Sequence, residues 1–355
     1  MKKLLKAFLI LLVIVLVVVG GYIAYLFIAY HRIPDNQKLE ATHESPVALE
    51  KETPYRAMTF NIGYGAYPPS YSFFMDGGEK SRADSKSVVE KNMRGIVDTT
   101  EEIDPTIAFY QEVDEAADRS YHVDEVNWLS NHLLGYNSIY GRNYDSPYLF
   151  YPFTQPIGKS KSGLVTMSKG ELTDSKRYSL PIETNINKFF DLDRAFTVTK
   201  TPVKEGNELV SINVHLSAYT KDKSIQAAQL DTLFDVMEQE YQDGNYVLVG
   251  GDFNHDVLGN SPDVFNTSQK RYSWNQPFPK EDLPKGFDIP LGKLAKEKIP
   301  SSRMLNEPYN KDTANVSLID GFIVSDNIAV KSIHVKDEQF QFSDHNPVYL
   351  NFELE

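Results

Sequence analysis

A series of acids, amides and histidines stands where apolar runs end. Asn61 closes RAMTFN, Glu112 follows TIAFYQ, Asp252 and Asn254 follow YVLVGG, and Asp320 sits in SLIDGFIV. Asp344 and His345 precede the last apolar run, VYLNFEL, and His215 ends LVSINVH. A single Asp or Asn after a strand is ordinary turn chemistry. A whole series of them at strand ends is what an α/β fold gathers along one edge, where ligand sites form. The chain has no cysteine, which excludes thiolate metal sites, cysteine nucleophiles and disulfides. Ser217 and Ser343 adjoin motif histidines, but neither lies in the G-x-S-x-G pattern of a serine hydrolase. The chemistry left to these positions uses oxygen ligands and imidazole.

The elements that must carry them alternate between strand and helix patterns. Met58, Phe60 and Ile62 recur with period two, which predicts a strand over 56–62. Val88, Val89, Ile96 and Val97 form a helical stripe that begins at a capping box, S-V-V-E from Ser87 to Glu90, and Asp104-Pro105 stops it. Strands are expected over 106–111, 209–216, 246–250, 318–324 and 348–354, and a helix from Ser224 to about Glu240. In 209–216, Val210, Ile212, Val214 and Leu216 share one face, with Ser211, Asn213 and His215 on the other. Residues 64–85 and 261–308 fit no regular element. Long irregular stretches of this kind are usually functional or mobile.

The N-terminus is of a different character. Ala7 to Tyr30 is 24 residues without a charge, preceded by Lys2, Lys3 and Lys6. At about 1.5 Å per residue this spans a hydrocarbon core of roughly 30 Å. The lysines favour a cytoplasmic basic tip at 1–6, with everything after residue 30 outside. Tyr22, Tyr25 and Tyr30 suit the outer interface. A cleaved signal peptide is the competing reading, but the run is long for one and shows no small-x-small cleavage site. The proline-containing polar stretch 31–54 reads as a tether, and 55–355 as one domain of about 300 residues. Formal net charge over the 355 residues is −13, and residues 1–34 hold four basic residues and no acid, leaving −17 for the rest. A broadly basic face for duplex nucleic acid is therefore excluded.

The motifs TFNIG, YQEVD, NVHLSAY, GGDFN, LIDGFIV and SDHNPV, in that order over residues 55–355, resemble the endonuclease/exonuclease/phosphatase superfamily, whose fold is that of the pancreatic-type deoxyribonucleases. GDFN and SDHNPV are the most specific of these. The resemblance implies a four-layer α/β sandwich of two packed mixed β-sheets flanked by helices, here preceded by a single transmembrane helix. It also implies divalent-metal-dependent cleavage of phosphoesters, with Mg²⁺, or Mn²⁺ or Ca²⁺, as the ion. Glu112 matches the family's main metal ligand, with Asn61 and Asp344 at supporting positions. His345 matches the catalytic histidine and Asp320 its orienting carboxylate. Asp252 and Asn254 match residues that orient the nucleophile and bind phosphate. The general base is assigned to His345 with Asp320, with Asp252 as the rival. His215 matches a histidine of the deoxyribonuclease, sphingomyelinase and phosphoinositide phosphatase branches, where it can protonate the leaving oxygen or hold phosphate.

Arg119 and Arg194 are candidate phosphate clamps, each with a surface salt bridge as the competing role. The aromatic run SPYLFYPF, Ser146 to Phe153, can contact lipid or pack as a loop. These readings describe a monomeric, single-pass bacterial membrane enzyme with an extracytoplasmic catalytic domain, acting on a lipid headgroup or small phosphoester. A cell-surface deoxyribonuclease is the alternative, although no specific nucleic-acid partner is expected. An inactive binding module on the same fold is the minor one.

Overall fold

The computed structural model describes residues 1–42, 45–218, 220, 222–267 and 275–355. Tyr219 of NVHLSAY and residues 268–274 of the second irregular stretch lie outside that range. Two sheets pack face to face. The first has six strands in the order Ile328–Val335, Val348–Leu354, Tyr55–Asn61, Ile107–Ala117, Ser160–Ser168, Asn137–Asp145. The second has seven, in the order Gln37–Lys38, Thr173–Ser179, Ala195–Pro202, Glu208–His215, Tyr246–Asp252, Asp320–Ser325, Phe287–Asp288. The pairs Tyr55–Asn61 with Ile107–Ala117 and Glu208–His215 with Tyr246–Asp252 are parallel, and the other neighbouring strands of the two sheets pair antiparallel. Helices Lys86–Ile103 and Glu125–His132 cover the first sheet, and Lys223–Gln242 covers the second. This is the four-layer α/β sandwich expected from the motifs.

Burial on both faces explains why the strands are so apolar. Met58 and Phe60 join Val89, Met93 and Ile96 of the covering helix in one core, while Ala57, Ile107 and Phe109 join the core of the second sheet. The interlayer between the sheets is partly polar. Gln111 donates from Nε2 to Asn213 Oδ1 at 2.8 Å, and Asn213 Nδ2 donates to the carbonyls of Tyr110 and Val165. The polar face of 209–216 therefore meets the other sheet, and its apolar face lies with Leu230, Leu233 and Met237 of the helix. Gly250 faces Phe109 across the same layer, where a Cβ would run into the ring.

Several local expectations shift. The first covering helix is capped by Ser85, whose side chain accepts from the Val88 amide at 3.3 Å, and not by Ser87. Ser85 has the extended backbone that a cap requires, so the helix starts two residues earlier and Glu90 pairs with Lys86 instead. Its end at Asp104, left-handed at φ 52°, is as expected. Among its described residues the second irregular stretch holds two short α-helices, Ser261–Phe265 and Leu294–Glu297, a 3₁₀ turn at Lys280–Asp282, and two strand fragments, Phe287–Asp288 and Ser302–Arg303.

Residues 31–54, expected as a tether, lie along the sandwich in their described part. Gln37 and Lys38 pair with Arg177 and Lys176, Leu49 donates to the Pro202 carbonyl at 2.8 Å, and Arg32 pairs with Asp193 at 2.8 Å. Ile33, Leu39 and Leu49 are buried. They are single apolar residues at irregular intervals, each filling one depression, so no periodicity announces them. The helix Lys2–Ala29 is long and apolar enough to cross a membrane.

Candidate active site

The site forms where strand ends from both sheets meet. In the second sheet the register aligns His215, Asp252 and Asp320 side by side on three neighbouring strands. A side chain changes face at every residue, so all three point into the interlayer together with Asn213. From the first sheet, Asn61 reaches across and donates from Nδ2 to Asp252 Oδ2 at 3.0 Å, while its Oδ1 accepts from the Gly63 amide. Glu112 sits in a bulge, where pairing of the strand with Ser160–Ser168 slips between Tyr110 and Val113. It adopts φ 56°, a costly conformation for a glutamate, of the kind found at functional sites. Asn254 has φ 49°, which asparagine tolerates. Its amide donates to Asp252 Oδ1 at 2.9 Å and its Nδ2 to the Leu216 carbonyl at 2.8 Å.

His345 enters from the loop before the last strand. Its Nδ1 lies 2.8 Å from Asp320 Oδ2, a geometry that fixes Nδ1 as the protonated nitrogen and leaves Nε2 facing inward. That Nε2 is 3.8 Å from Asp252 Oδ2 and 3.5 Å from Ser302 Oγ. His215 Nε2 lies 3.7 Å from Asp252 Oδ2 and 3.8 Å from Glu112 Oε1. Asp344 stands beside Gly63, where a Cβ would come within 2.8 Å of its Oδ1; left-handed Gly63 gives the carboxylate that room.

Burial dominates the electrostatics. Burial, then the neighbouring Asp344, pushes the Glu112 carboxyl up to about 8. Burial and the adjacent Asp320 push Asp252 up to about 7. For His345, burial opposes the charge, but Asp320, Asp344 and Asp252 outweigh it and hold the imidazole cationic well above its usual range. His215 goes the other way. Burial, then Arg194 and His345, keep it neutral.

The residues suit a hard divalent cation. Glu112 and Asp344 offer oxygen ligands, and the repulsion that raises Glu112 is what a bound cation would relieve. Asn61 Oδ1 keeps one lone pair beyond its bond to Gly63, so it is a positioner of Asp252 first and a ligand second. Asp252, Asp320 and His345 also bring ligand atoms within 4.8 Å of one another. There the 2.8 Å bond between His345 and Asp320 already occupies one atom of each, which favours a hydrogen-bonded dyad over a second ion position.

Two expectations about arginines change. Arg119 is buried, paired with both oxygens of Asp114, bonded to Ser162 Oγ and stacked on the Tyr64 ring at 3.2 Å. Arg194 is buried, bonded to the Leu216 carbonyl and Asp191 Oδ1, with its Nε lacking a partner. Both line a cavity of about 690 Å³ with Glu112 and Asp344 at its base and Tyr64, Tyr67, Phe73, Phe74 and Tyr151 on its walls. Neither forms a surface salt bridge. Sequence reasoning missed Tyr64, Tyr67 and Ser302. The first two lay in a stretch that showed only as aromatic and irregular, and Ser302 becomes a site residue through the isolated bridge that pairs it with His345.

No family model and no curated protein matches the chain. Solved structures do. The endonuclease/exonuclease/phosphatase of Beutenbergia cavernae superposes with a TM-score of 0.56 at 16% identity, covering 85% of this chain and 72% of that one. The Bacteroides vulgatus protein of the same description gives 0.54 at 17% identity, over 86% and 100%. ANGEL2, a 2′,3′-cyclic phosphatase, gives 0.57 at 15% identity, over 90% and 99%. The fold of this chain is that of the endonuclease/exonuclease/phosphatase proteins.

Proposed function

We propose that the protein is a membrane-anchored, divalent-metal-dependent phosphoester hydrolase whose catalytic domain lies outside the cell. The observation that carries the reaction is the His345–Asp320 pair, whose Nε2 faces Asp252 beside the carboxylates of Glu112 and Asp344. Glu112 and Asp344 would hold the ion, which would neutralise charge developing on the phosphoryl group. Hydrolysis joins the water oxygen to phosphorus and breaks one P–O ester bond; the proton given up by the attacking water is matched by one that the departing alcohol takes from solvent.

The charge states divide the labour. A cationic His345 donates from Nε2 to a phosphoryl oxygen, and Asp320 keeps it aligned and charged. Asp252, titrating at about 7 and held by Asn61 and the Asn254 amide, takes the proton of the attacking water. This exchanges the assignment read from sequence, where His345 was the base and Asp252 the rival. His215 is neutral and within reach of two carboxylates, so it orients Asp252 and Glu112 better than it protonates a leaving group. Arg194, with an unpartnered Nε at the cavity wall, suits a phosphate oxygen. Arg119, fully engaged with Asp114, braces the wall through Tyr64.

The cavity walls are aromatic and aliphatic, which favours a lipid headgroup or small phosphoester over a nucleic-acid backbone. A panel of phosphodiesters, phosphomonoesters, phospholipids and plasmid DNA, with and without Mg²⁺, tests the assignment. Metal-dependent release from lipid or small esters supports it, whereas nicking of DNA alone would favour the surface nuclease.

A further inference from the structure

The wall of the cavity and the outer end of the apolar helix are one packed unit. Leu149 and Ile157 line the cavity and also pack with Leu26, Phe189, Tyr22 and Tyr30. Tyr22 Oη donates to the Tyr148 carbonyl at 3.1 Å, the Tyr148 amide donates to Tyr25 Oη at 2.9 Å, and the Tyr22 ring meets Phe150 edge-on at 5.2 Å. Phe27 and Tyr30 both contact Phe189.

These contacts set a depth. A hydrocarbon core of roughly 30 Å takes about 20 helical residues. Counted from Ala7, the first residue after Lys6, they end near Leu26. The segments touching Tyr22, Tyr25 and Leu26 therefore lie at the outer membrane interface if the helix crosses. They are suited to that depth. Phe150, Tyr151, Phe153 and Ile186 are exposed, Phe153 at 84%, in an otherwise acidic protein. The loop backbone is also largely satisfied internally. Leu149 and Gly158 exchange both amide–carbonyl bonds, Ile157 donates to Tyr151 and Gln155 to Pro152, while the anchor tyrosines serve Tyr148 and Phe150. Backbone that enters lipid needs such partners. Lys188 lies over the Phe27, Tyr30 and Phe189 rings, a cation placed where anionic headgroups would be.

We propose that residues 148–158 and 186–190 insert into the outer leaflet beside the chain's own helix, so that the cavity draws its substrate, a phospholipid headgroup phosphoester, from the membrane in which the protein is anchored. This rests on the hydrolase reading above.

The full-length protein in vesicles of phosphatidylcholine and phosphatidylglycerol provides the test. Because the chain has no cysteine, Phe153→Cys takes a single environment-sensitive fluorophore. The expected result is a blue-shifted emission quenched by brominated lipid and protected from iodide; a water-exposed emission, quenched by iodide alone, overturns the insertion. The triple variant Phe150→Ser, Phe153→Ser, Ile186→Ser, whose positions lie outside the cavity lining, should release headgroup from vesicles at least tenfold more slowly. Its hydrolysis of soluble bis(p-nitrophenyl) phosphate should stay within twofold of the unaltered protein. Equal loss on both substrates, or on neither, overturns the proposal. An unaltered protein that cleaves the soluble ester or DNA but no lipid overturns it and leaves the hydrolase reading standing. One that cleaves nothing overturns both.

Discussion

The site places four carboxyls and two imidazoles within a few ångströms of one another, and their protonation states decide what each can do. His345 and Asp320 act as a unit, so His345→Ala should lower the metal-dependent rate by about 10²- to 10⁴-fold, the range for a positioned proton-transfer or donor group. Asp320→Asn should cost less at its optimum and draw the alkaline limb of the pH–rate profile to lower pH, because the imidazole loses the neighbour that keeps it charged. Glu112→Gln separates function from stability. It should abolish activity and the thermal shift given by Mg²⁺, yet raise the metal-free melting temperature at pH 8, since a neutral amide removes a buried, repelled charge. A lowered metal-free melting temperature in that variant would contradict the strained, like-charged setting of Glu112 beside Asp344.

Among the elements, the interlayer between the sheets does the positioning. Registry across Glu208–His215, Tyr246–Asp252 and Asp320–Ser325 puts three polar groups in one row, and the Gln111–Asn213 bond ties that row to the opposite sheet. Gly250→Ala should destabilise by about 1–3 kcal/mol in a denaturant titration, the cost of forcing a methyl into a filled core, because the Phe109 ring occupies the space. The alternation of Val210, Ile212 and Val214 with Ser211, Asn213 and His215 made the strand and its two faces readable from sequence. So did the order of the motif residues, from Asn61 to His345, that converge in space. What sequence did not show depends on partners distant in the chain. The bulge that gives Glu112 its left-handed backbone comes from pairing with Ser160–Ser168. The cap fell to Ser85 over Ser87 by backbone conformation alone, and burial of Arg119 depends on Asp114, Ser162 and Tyr64 closing around it. The docking of the described part of 31–54 was illegible for the same reason, because Ile33, Leu39 and Leu49 each answer to a different part of the sandwich.

On the scale of the whole molecule, the buried acids tie stability to pH, and a bound cation would share in that linkage. Glu112 at about 8 and Asp252 at about 7 bind their protons more tightly in the folded than in the unfolded chain, where carboxyls titrate near 4. Their contribution therefore favours the fold at low pH and is lost as pH rises from about 4 to about 8. The metal-free protein should lose melting temperature over that interval, and the increment given by Mg²⁺ should grow from pH 5.5 to pH 8.5 as the ligands shed their protons. An increment that stays flat would remove the carboxylates from metal binding.

The clamp of Arg32 and Ile33 on Asp193 has a consequence for the geometry of encounter. Twenty or so free residues would let a catalytic domain sweep a hemisphere of roughly 70 Å radius and meet targets on neighbouring surfaces. With that leash wound onto the sandwich, the sweep disappears. If the helix crosses the bilayer, the mouth of the cavity moves only as the helix drifts and rotates in the plane. Its working rate would then be governed by two-dimensional traffic, and thus by membrane fluidity and substrate surface density, rather than by bulk concentration.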